Sequence, residues 1–565
     1  HKHDSRLDPG NYRPITLMSI IGKIFGAVIN TRLQDFSEGN HSISDFQAGF
    51  RTKRSTIDQI FLLRETLAFR KERNYHTYAT YVDARKAYDT AWRAYTYLRI
   101  HESGVNGKVW RQLMAMHENM TRKIRLPIGH TEPFDIDIGF AQGAVESPWC
   151  YANFINGLAE ALQKAGLGVW IAGKQVPLLM YADDIIMLAA TPLELQRMNA
   201  VATKYAHQHR FQYNGTKSAV MVFNATNEAR ARAKAHKWTL FGEDVKVVDE
   251  YTYLGTVTTN NEASWKKHTK RALEKAQARS SDLLFVCRRD RGLRPRTAVT
   301  LWQSLVRPIL EYGAELWSRQ ITQTMAGEAE KIQTEFLRGV LGLHANGGGV
   351  SNDAIRAETG TEPLADRWAK LQLGFWRRLF VASDSRLLNV VAKFRHKEAS
   401  ANHHRYGTRG WMPTARELLL HHDMHDAWAN TATAVKLPLP AWKEQCYAAV
   451  ETSSDAARHQ RMRSAEGSAT REYTRIKNWE RTERSHAFSS GEENRLGRRT
   501  PERYLDDRQH LKATRLKLLC RLGALPLMDR VGREASPKWP KHYRTCPMCK
   551  RGAVEDVTHF LTTCP

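Results

Sequence analysis

The chain has 565 residues, too many for a single hydrophobic core, and its 42% hydrophobic and 9% aromatic content marks most of it as folded, in roughly three or four domains. Its 85 Lys and Arg against 59 Asp and Glu leave a formal net charge of +26, more than solubility requires, and the polyanion that such a field attracts is nucleic acid. No run of about 18 apolar residues occurs and the N-terminus given has no apolar stretch, so the chain is not expected to cross or enter a membrane.

The chain opens at His1, without Met, inside what reads as a working motif, so it is expected to be an N-terminally truncated fragment. Asn11-Tyr12-Arg13-Pro14-Ile15-Thr16-Leu17 enters as an extended segment fixed by Pro14. A helix follows, with an apolar face at Ile20, Ile24, Phe25 and Val28 and with Lys23 beside it. Beyond Gln47-Ala48-Gly49-Phe50, the cations Arg51, Lys53 and Arg54 crowd a turn that is either a solvated loop or a phosphate contact. Tyr75 to Asp83 alternates as a strand that ends on a carboxylate. Gly139 to Trp149 is a loop of small residues, and Ser147-Pro148 starts an apolar helix that runs to Leu162.

Leu178 to Leu188 sets Asp183 and Asp184 between two apolar runs, the pattern of a hairpin whose tip carries two charges that repel unless a cation sits between them. A helix from Leu193 to Gln208 leads to the turn Tyr213-Asn214-Gly215-Thr216-Lys217 and a strand ending at Phe223; Tyr253-Leu254-Gly255 follows a further strand. Two-metal nucleotidyl transfer needs acidic ligands from two separate strands around ions roughly 4 Å apart, and Asp83 with the Asp183-Asp184 pair meets that need.

From Trp265 to Leu343 the pattern is helical and basic, Asn346-Gly347-Gly348-Gly349 reads as a linker, and Ala354 to Phe380 is an amphipathic helical stretch. Four of the seven cysteines (Cys150, Cys287, Cys446 and Cys520) are scattered singly, which points to a reducing, intracellular compartment, cytoplasm and nucleus, and not to a disulfide framework. At the C-terminus Cys546, Cys549, His559 and Cys564 have the composition of a closed tetrahedral zinc site, structural in character.

In order, the segments at 11–17, 47–50, 81–89, 142–148, 181–184, 214–218 and 253–255 resemble the polymerase domain of non-LTR retrotransposon (LINE-type) reverse transcriptases over roughly residues 10 to 345. The resemblance implies an α+β right-hand polymerase fold with an antiparallel palm sheet: fingers over 1–75, incomplete; palm with part of the fingers over 76–260; thumb over 261–345. A helical basic connector over 350–540, partly disordered around 453–500, and a zinc knuckle over 541–565 would follow. It implies that Asp83, Asp183 and Asp184 bind two Mg²⁺ (or Mn²⁺) and that Tyr88 is the aromatic gate beneath the incoming sugar. Gln142 and Gly143 would lie along nucleotide and template, Arg13 and Lys23 would hold the triphosphate, and Lys217 would stand near the departing pyrophosphate. One structural Zn²⁺ would sit in the knuckle.

The partners implied are an RNA template, a DNA primer or target DNA and dNTPs, with no membrane, and an endonuclease domain elsewhere in the full-length protein. The loop Ala144-Val145-Glu146 departs from the family pattern, and Glu146 is expected either to weaken nucleotide binding or to face solvent. The rival readings are a decayed or domesticated nucleic-acid-binding protein without polymerase activity, and a group II intron-type maturase.

Overall fold

The computed structural model describes residues 5, 7–8, 11–261, 264–288, 293–343, 350–401 and 406–464 (backbone only from 458), with isolated positions between 505 and 559. The chain divides into two compact units, residues 1–265 with 379–414 and residues 266–378 with 415–565. The linker expected at 346–349 lies outside the described residues.

The first unit is built on a six-stranded sheet. Its strands are β1 (Thr77–Val82), β2 (Leu178–Tyr181), β3 (Asp184–Ala189), β4 (Ala219–Phe223), β5 (Trp238–Leu240) and β6 (Glu243–Val247), in the order β5-β6-β4-β1-β3-β2. All neighbours are antiparallel except β4 and β6, which run parallel through Ala219↔Lys246. β1 lies at the centre of the antiparallel part and is buried on both faces, which its alternating pattern did not require. On one face Thr80 bonds Asn199 at 3.0 Å, on the helix Pro192–Gln208; on the other, Tyr81 stacks on Tyr251 at 4.2 Å, in the hairpin Glu250–Tyr253 and Thr256–Thr259.

Four helices surround this sheet: α1 (Ile20–Asn40), α2 (Thr56–Glu72), α3 (Ser147–Lys164) and α4 (Pro192–Gln208). The apolar face expected at Ile20, Ile24, Phe25 and Val28 is exposed, and α1 instead buries the line Gly26, Ile29, Leu33 and Ser37. Helical spacing found the helix but not the stripe, because its first turns carry apolar residues nearly all round and only its second half meets α3, where the Trp149 indole donates to Ser37 Oγ.

On the basic turn at 51–54 Lys53 is exposed, whereas the two arginines are paired within the protein. Arg51 is buried against Glu38 at 2.6 Å and donates to the carbonyls of Ser44 and Gln47, while Arg54 pairs with Asp45 and Glu38. The following α2 starts on a reciprocal capping box, Ser55 with Asp58.

α2 is buried almost all round, charged residues included, because a segment from beyond residue 378 closes over it. The helix α5 (Leu387–Ser400) sets Arg395, fully buried, against Glu65 at 2.9 Å and Glu72 at 2.7 Å, and Arg395 also reaches Glu398 and the Arg409 carbonyl. Phe394 packs edge-on to Phe69, and Trp411 edge-on to Phe61. The expected connector over 350–540 is therefore divided, with residues 379–414 belonging to the unit that carries the aspartates.

The second unit is helical. Its long helices are Lys266–Arg288, Pro295–Leu305, Gln323–Val340 and Leu439–Ser464, with a tryptophan core in which Trp317 meets Trp368 at 5.1 Å and Trp376 stacks on Trp428 at 5.3 Å. The stretch 354–380 is two helices, not one, broken where Gly360 caps Asn352–Thr359 in the left-handed conformation before Pro363. Residues 453–464, expected at the start of a partly disordered segment, continue the helix Leu439–Ser464; 465–500 lie outside the described residues. Among the described residues, no helix is long and apolar enough to cross a membrane.

Candidate active site

β1, β2 and β3 bring three carboxylates to one end of the sheet. Val82 pairs with Ile185 and Tyr181 with Asp184, so Asp83, the next residue of its chain, comes level with Asp184 across adjacent antiparallel strands. The β2–β3 connection is the two residues Ala182-Asp183, with Ala182 at φ 56. A two-residue turn needs positive φ at its first position, and here a non-glycine residue supplies it.

Asp183 and Asp184 are exposed and Asp83 is half-buried. Loss of water first, and then the charges of Asp183 and Asp83, push the Asp184 carboxyl up to about 6, against the opposing pull of Arg13. Burial raises Asp183 as well, again opposed by Arg13. The guanidinium of Arg13 thus acts on both tip aspartates from the extended segment where the sequence places it. Lys23 stands exposed on the first turn of α1, and among the described contacts none ties it to the carboxylates.

The loops around the aspartates are laced together by backbone bonds. The Asp83 amide donates to Ser218 Oγ and its carbonyl accepts from Asn214 N at 2.8 Å, which fixes the turn carrying Lys217 beside the end of β1. Tyr88 stacks on Tyr151 at 4.9 Å, and burial with the nearby Asp183 charge raises its hydroxyl above the ordinary tyrosine value. The Tyr88 carbonyl accepts from Phe140 N, and Gln142 donates to the Asp89 carboxylate at 3.4 Å. The Gln142 carbonyl in turn accepts from Thr16 N at 2.7 Å. Gly143 holds φ 120, and a Cβ there would come within 2.6 Å of the Thr16 carbonyl, so the loop can meet the Arg13 segment only with glycine. Arg13, Tyr88, Gln142, Gly143 and Lys217 are thereby drawn around Asp83, Asp183 and Asp184; Lys23 is not.

Carboxylates brought to one end of adjacent strands, with these loops around them, are the donors that two-metal nucleotidyl transfer uses. The family model described as reverse transcriptase (RNA-dependent DNA polymerase) matches residues 1–258, the segment that carries all of them. Residues 1–258 belong to the reverse-transcriptase family. The curated relatives that the chain resembles are polymerases of non-LTR retrotransposons. It is 22% identical, over 55% of its length and 34% of the other, to the probable RNA-directed DNA polymerase from transposon BS of Drosophila melanogaster. It is 24% identical, over 37% of its length and 29% of the other, to the retrovirus-related Pol polyprotein from the type-1 retrotransposable element R2 of Popillia japonica. Among solved structures, apo telomerase from Candida tropicalis is similar at a TM-score of 0.37 and 12% identity, over 74% of this chain and 61% of that one. The chain spans about a third of the length of the curated relatives it matches.

In the reverse-transcriptase domain Glu146 does not face solvent. It is 2% exposed, caps the N-terminus of α3, and stands 3.6 Å from His117 Nε2, whose Nδ1 bonds the Tyr97 hydroxyl. Its carboxylate lies inside the protein, against Gly26 of α1. Residues that sequence reasoning passed over are Gln47, Ser218 and Tyr251. The first two bond the backbone at Ala182 and Asp83, and Tyr251 is pushed up to about 12 by burial and by Asp83 and Asp184. The motif around Gln47 was visible in the sequence, but nothing in it said which side chain turns inward.

At the C-terminus, the ligand atoms of Cys546, Cys549 and His559 lie within 4.8 Å of one another, with Cys549 Sγ 3.2 Å from His559 Nε2. A short bridge, Thr545↔Val554, brings the thiols round, and Asp556 accepts from the His559 amide. Cys564 lies outside the described residues.

Proposed function

We propose that this chain is an RNA-directed DNA polymerase of a non-LTR retrotransposon, extending a DNA primer 3′-hydroxyl with dNTPs on an RNA template, in target-primed reverse transcription. The observation that carries this reading is the set of three carboxylates at one end of adjacent strands within a reverse-transcriptase domain, one of them raised to about 6 by burial and then by the other two. A donor set that offers only carboxylate oxygens fits hard divalent cations.

Asp83, Asp183 and Asp184 would hold two Mg²⁺ (or Mn²⁺). Bound there, the ions activate the primer hydroxyl and neutralise charge on the phosphates. The chain's own residues do the rest. Arg13, the cation nearest in effect to the tip aspartates, meets the triphosphate, and Lys217, on the turn tied to Asp83, reaches the pyrophosphate side. Tyr88, backed by Tyr151, presents a flat face under the sugar and leaves little room for a 2′-hydroxyl. Gln142, oriented by Asp89, and Gly143 line the path of nucleotide and template. Lys23 belongs to the same segment, and its part is outer-sphere attraction of the phosphates.

Cys546, Cys549 and His559, with Cys564 as the fourth donor, would hold one structural Zn²⁺ that folds the terminal segment for contact with RNA or DNA. The test is extension of a DNA primer on an RNA template with Mg²⁺. The unmutated chain is expected to incorporate dNTPs and Asp183→Ala to incorporate none, a loss of at least about a thousandfold. Equal extension by the two proteins, or none by the folded unmutated chain with either metal, rejects the reading.

A further inference from the structure

Gln47 lies in the expected fingers segment, far in sequence from Asp83, Asp183 and Asp184, yet it is fully buried and its side chain ends on the aspartate turn. Its Oε1 accepts from Ala182 N at 2.8 Å and from Gly49 N at 2.8 Å, while its Nε2 donates to the Ala182 carbonyl at 3.2 Å. One carboxamide therefore grips the amide and the carbonyl of the same residue, the one that adopts φ 56. An alanine in that left-handed region costs about 1 kcal/mol or more, and it persists only where its surroundings hold it.

The surroundings are equally specific. Ala48 N donates to the Met180 carbonyl and Met180 N to the Phe46 carbonyl, so residues 46–48 add a short parallel partner to the edge of β2. Gln59 of α2 donates to both of those carbonyls, at 3.0 and 3.2 Å. Gly49 passes so close that a Cβ there would stand 2.2 Å from Ala182 N. Two glutamines thus fasten the turn, but only Gln47 touches the strained residue from which Asp183 projects.

We propose that Gln47 is a positioning residue for the metal site: by holding Ala182 in its left-handed conformation it sets the separation of Asp183 from Asp184 and Asp83. The inference rests on the polymerase reading above. Without the grip the turn relaxes, Asp183 swings away from its partners, and the carboxylates bind cations more weakly while the sheet beneath them stays folded.

The test compares Gln47→Met, which keeps the volume and removes the hydrogen bonds, with Gln59→Met, which loosens Met180 but not Ala182. Substrate-free Mn²⁺ binding is followed by electron paramagnetic resonance, Mg²⁺ activation by primer extension, and folding by thermal melting. Gln47→Met is expected to weaken Mn²⁺ binding and to raise the half-activating Mg²⁺ concentration, each by about tenfold, the usual effect of removing a group that orients a ligand. Gln59→Met is expected to change neither by more than about twofold, with a similar effect on melting. Adding Ala182→Gly, which lets the turn take positive φ freely, is expected to restore most of the metal affinity to Gln47→Met.

Unchanged Mn²⁺ binding in a folded Gln47→Met protein overturns the proposal, as does an equal loss in Gln59→Met or no rescue by Ala182→Gly. Should Gln47→Met not fold, Gln47→Asn, one methylene short of the turn, is read in the same assays with the same criteria. Failure of the unmutated chain to extend a primer rejects the polymerase reading instead, and the Mn²⁺ titration still decides the role of Gln47.

Discussion

The Asp184 carboxyl, raised to about 6, makes the site's pH behaviour specific. A folded value above the ordinary carboxylate value near about 4 means that the folded chain binds more protons than the unfolded one between those two limits. Stability of the metal-free protein is therefore expected to fall as pH rises through that window and to level off above about 6, and Asp184→Asn is expected to flatten the profile. Mg²⁺ competes with the proton, so saturating metal is expected to restore stability at pH 7.5 and to lose its effect below about 6; melting temperature against pH, with and without metal, reads both. Glu146 gives a contrasting case. Buried beside His117, it is a structural charge, and Glu146→Ala is expected to cost about 2 kcal/mol in urea unfolding while the KM for dNTP stays within about twofold of normal.

At the scale of elements, the decisive contact is the one between α2 and α5. The sequence pattern of α2 reads poorly as amphipathic because both of its sides are covered, the sheet on one and α5 with Trp411 on the other. Replacing Arg395 by Met leaves Glu65 and Glu72 buried without their cation, and it is expected to destabilise the first unit by about 3 to 5 kcal/mol in denaturant titration. A chain ending at residue 345, where the resemblance closes the polymerase, uncovers the same face of α2. It is expected to aggregate or to be cleaved within α2 by limited proteolysis, whereas a longer chain that retains 379–414 resists. Local patterns had revealed most elements: the hairpin around Asp183-Asp184, the strand ending at Asp83, the helix started by Ser147-Pro148 and the helix before Gln208 all stand where periodicity and turn residues put them. What stayed hidden depends on contacts distant in sequence. The return of α5, the inward turn of Gln47, the burial of Arg51 and Arg54 and the fate of Glu146 are each set by a partner that no local window contains.

On the scale of the whole molecule, the net charge of +26 and the three carboxylates make opposite demands, since the surface attracts phosphates and the cleft repels them until cations bind. Binding of a primer–template is accordingly expected to weaken steeply with salt, at least about tenfold between 50 and 200 mM, as each released counterion adds to the slope. Removal of metal from the proposed C-terminal site is expected to act separately. A chelator that strips zinc is expected to unfold the segment around Cys546, Cys549 and His559 while leaving extension of a pre-bound primer nearly unchanged, as followed by metal analysis and hydrogen exchange. The central claim, that Asp83, Asp183 and Asp184 form one metal site for templated synthesis, is tested most directly by primer extension on RNA with Mg²⁺ for the unmutated chain and for Asp83→Ala, Asp183→Ala and Asp184→Ala. Extension by the unmutated chain and its loss in all three variants, each melting as a folded protein, is the expected result; extension that survives removal of any one of the three contradicts the claim.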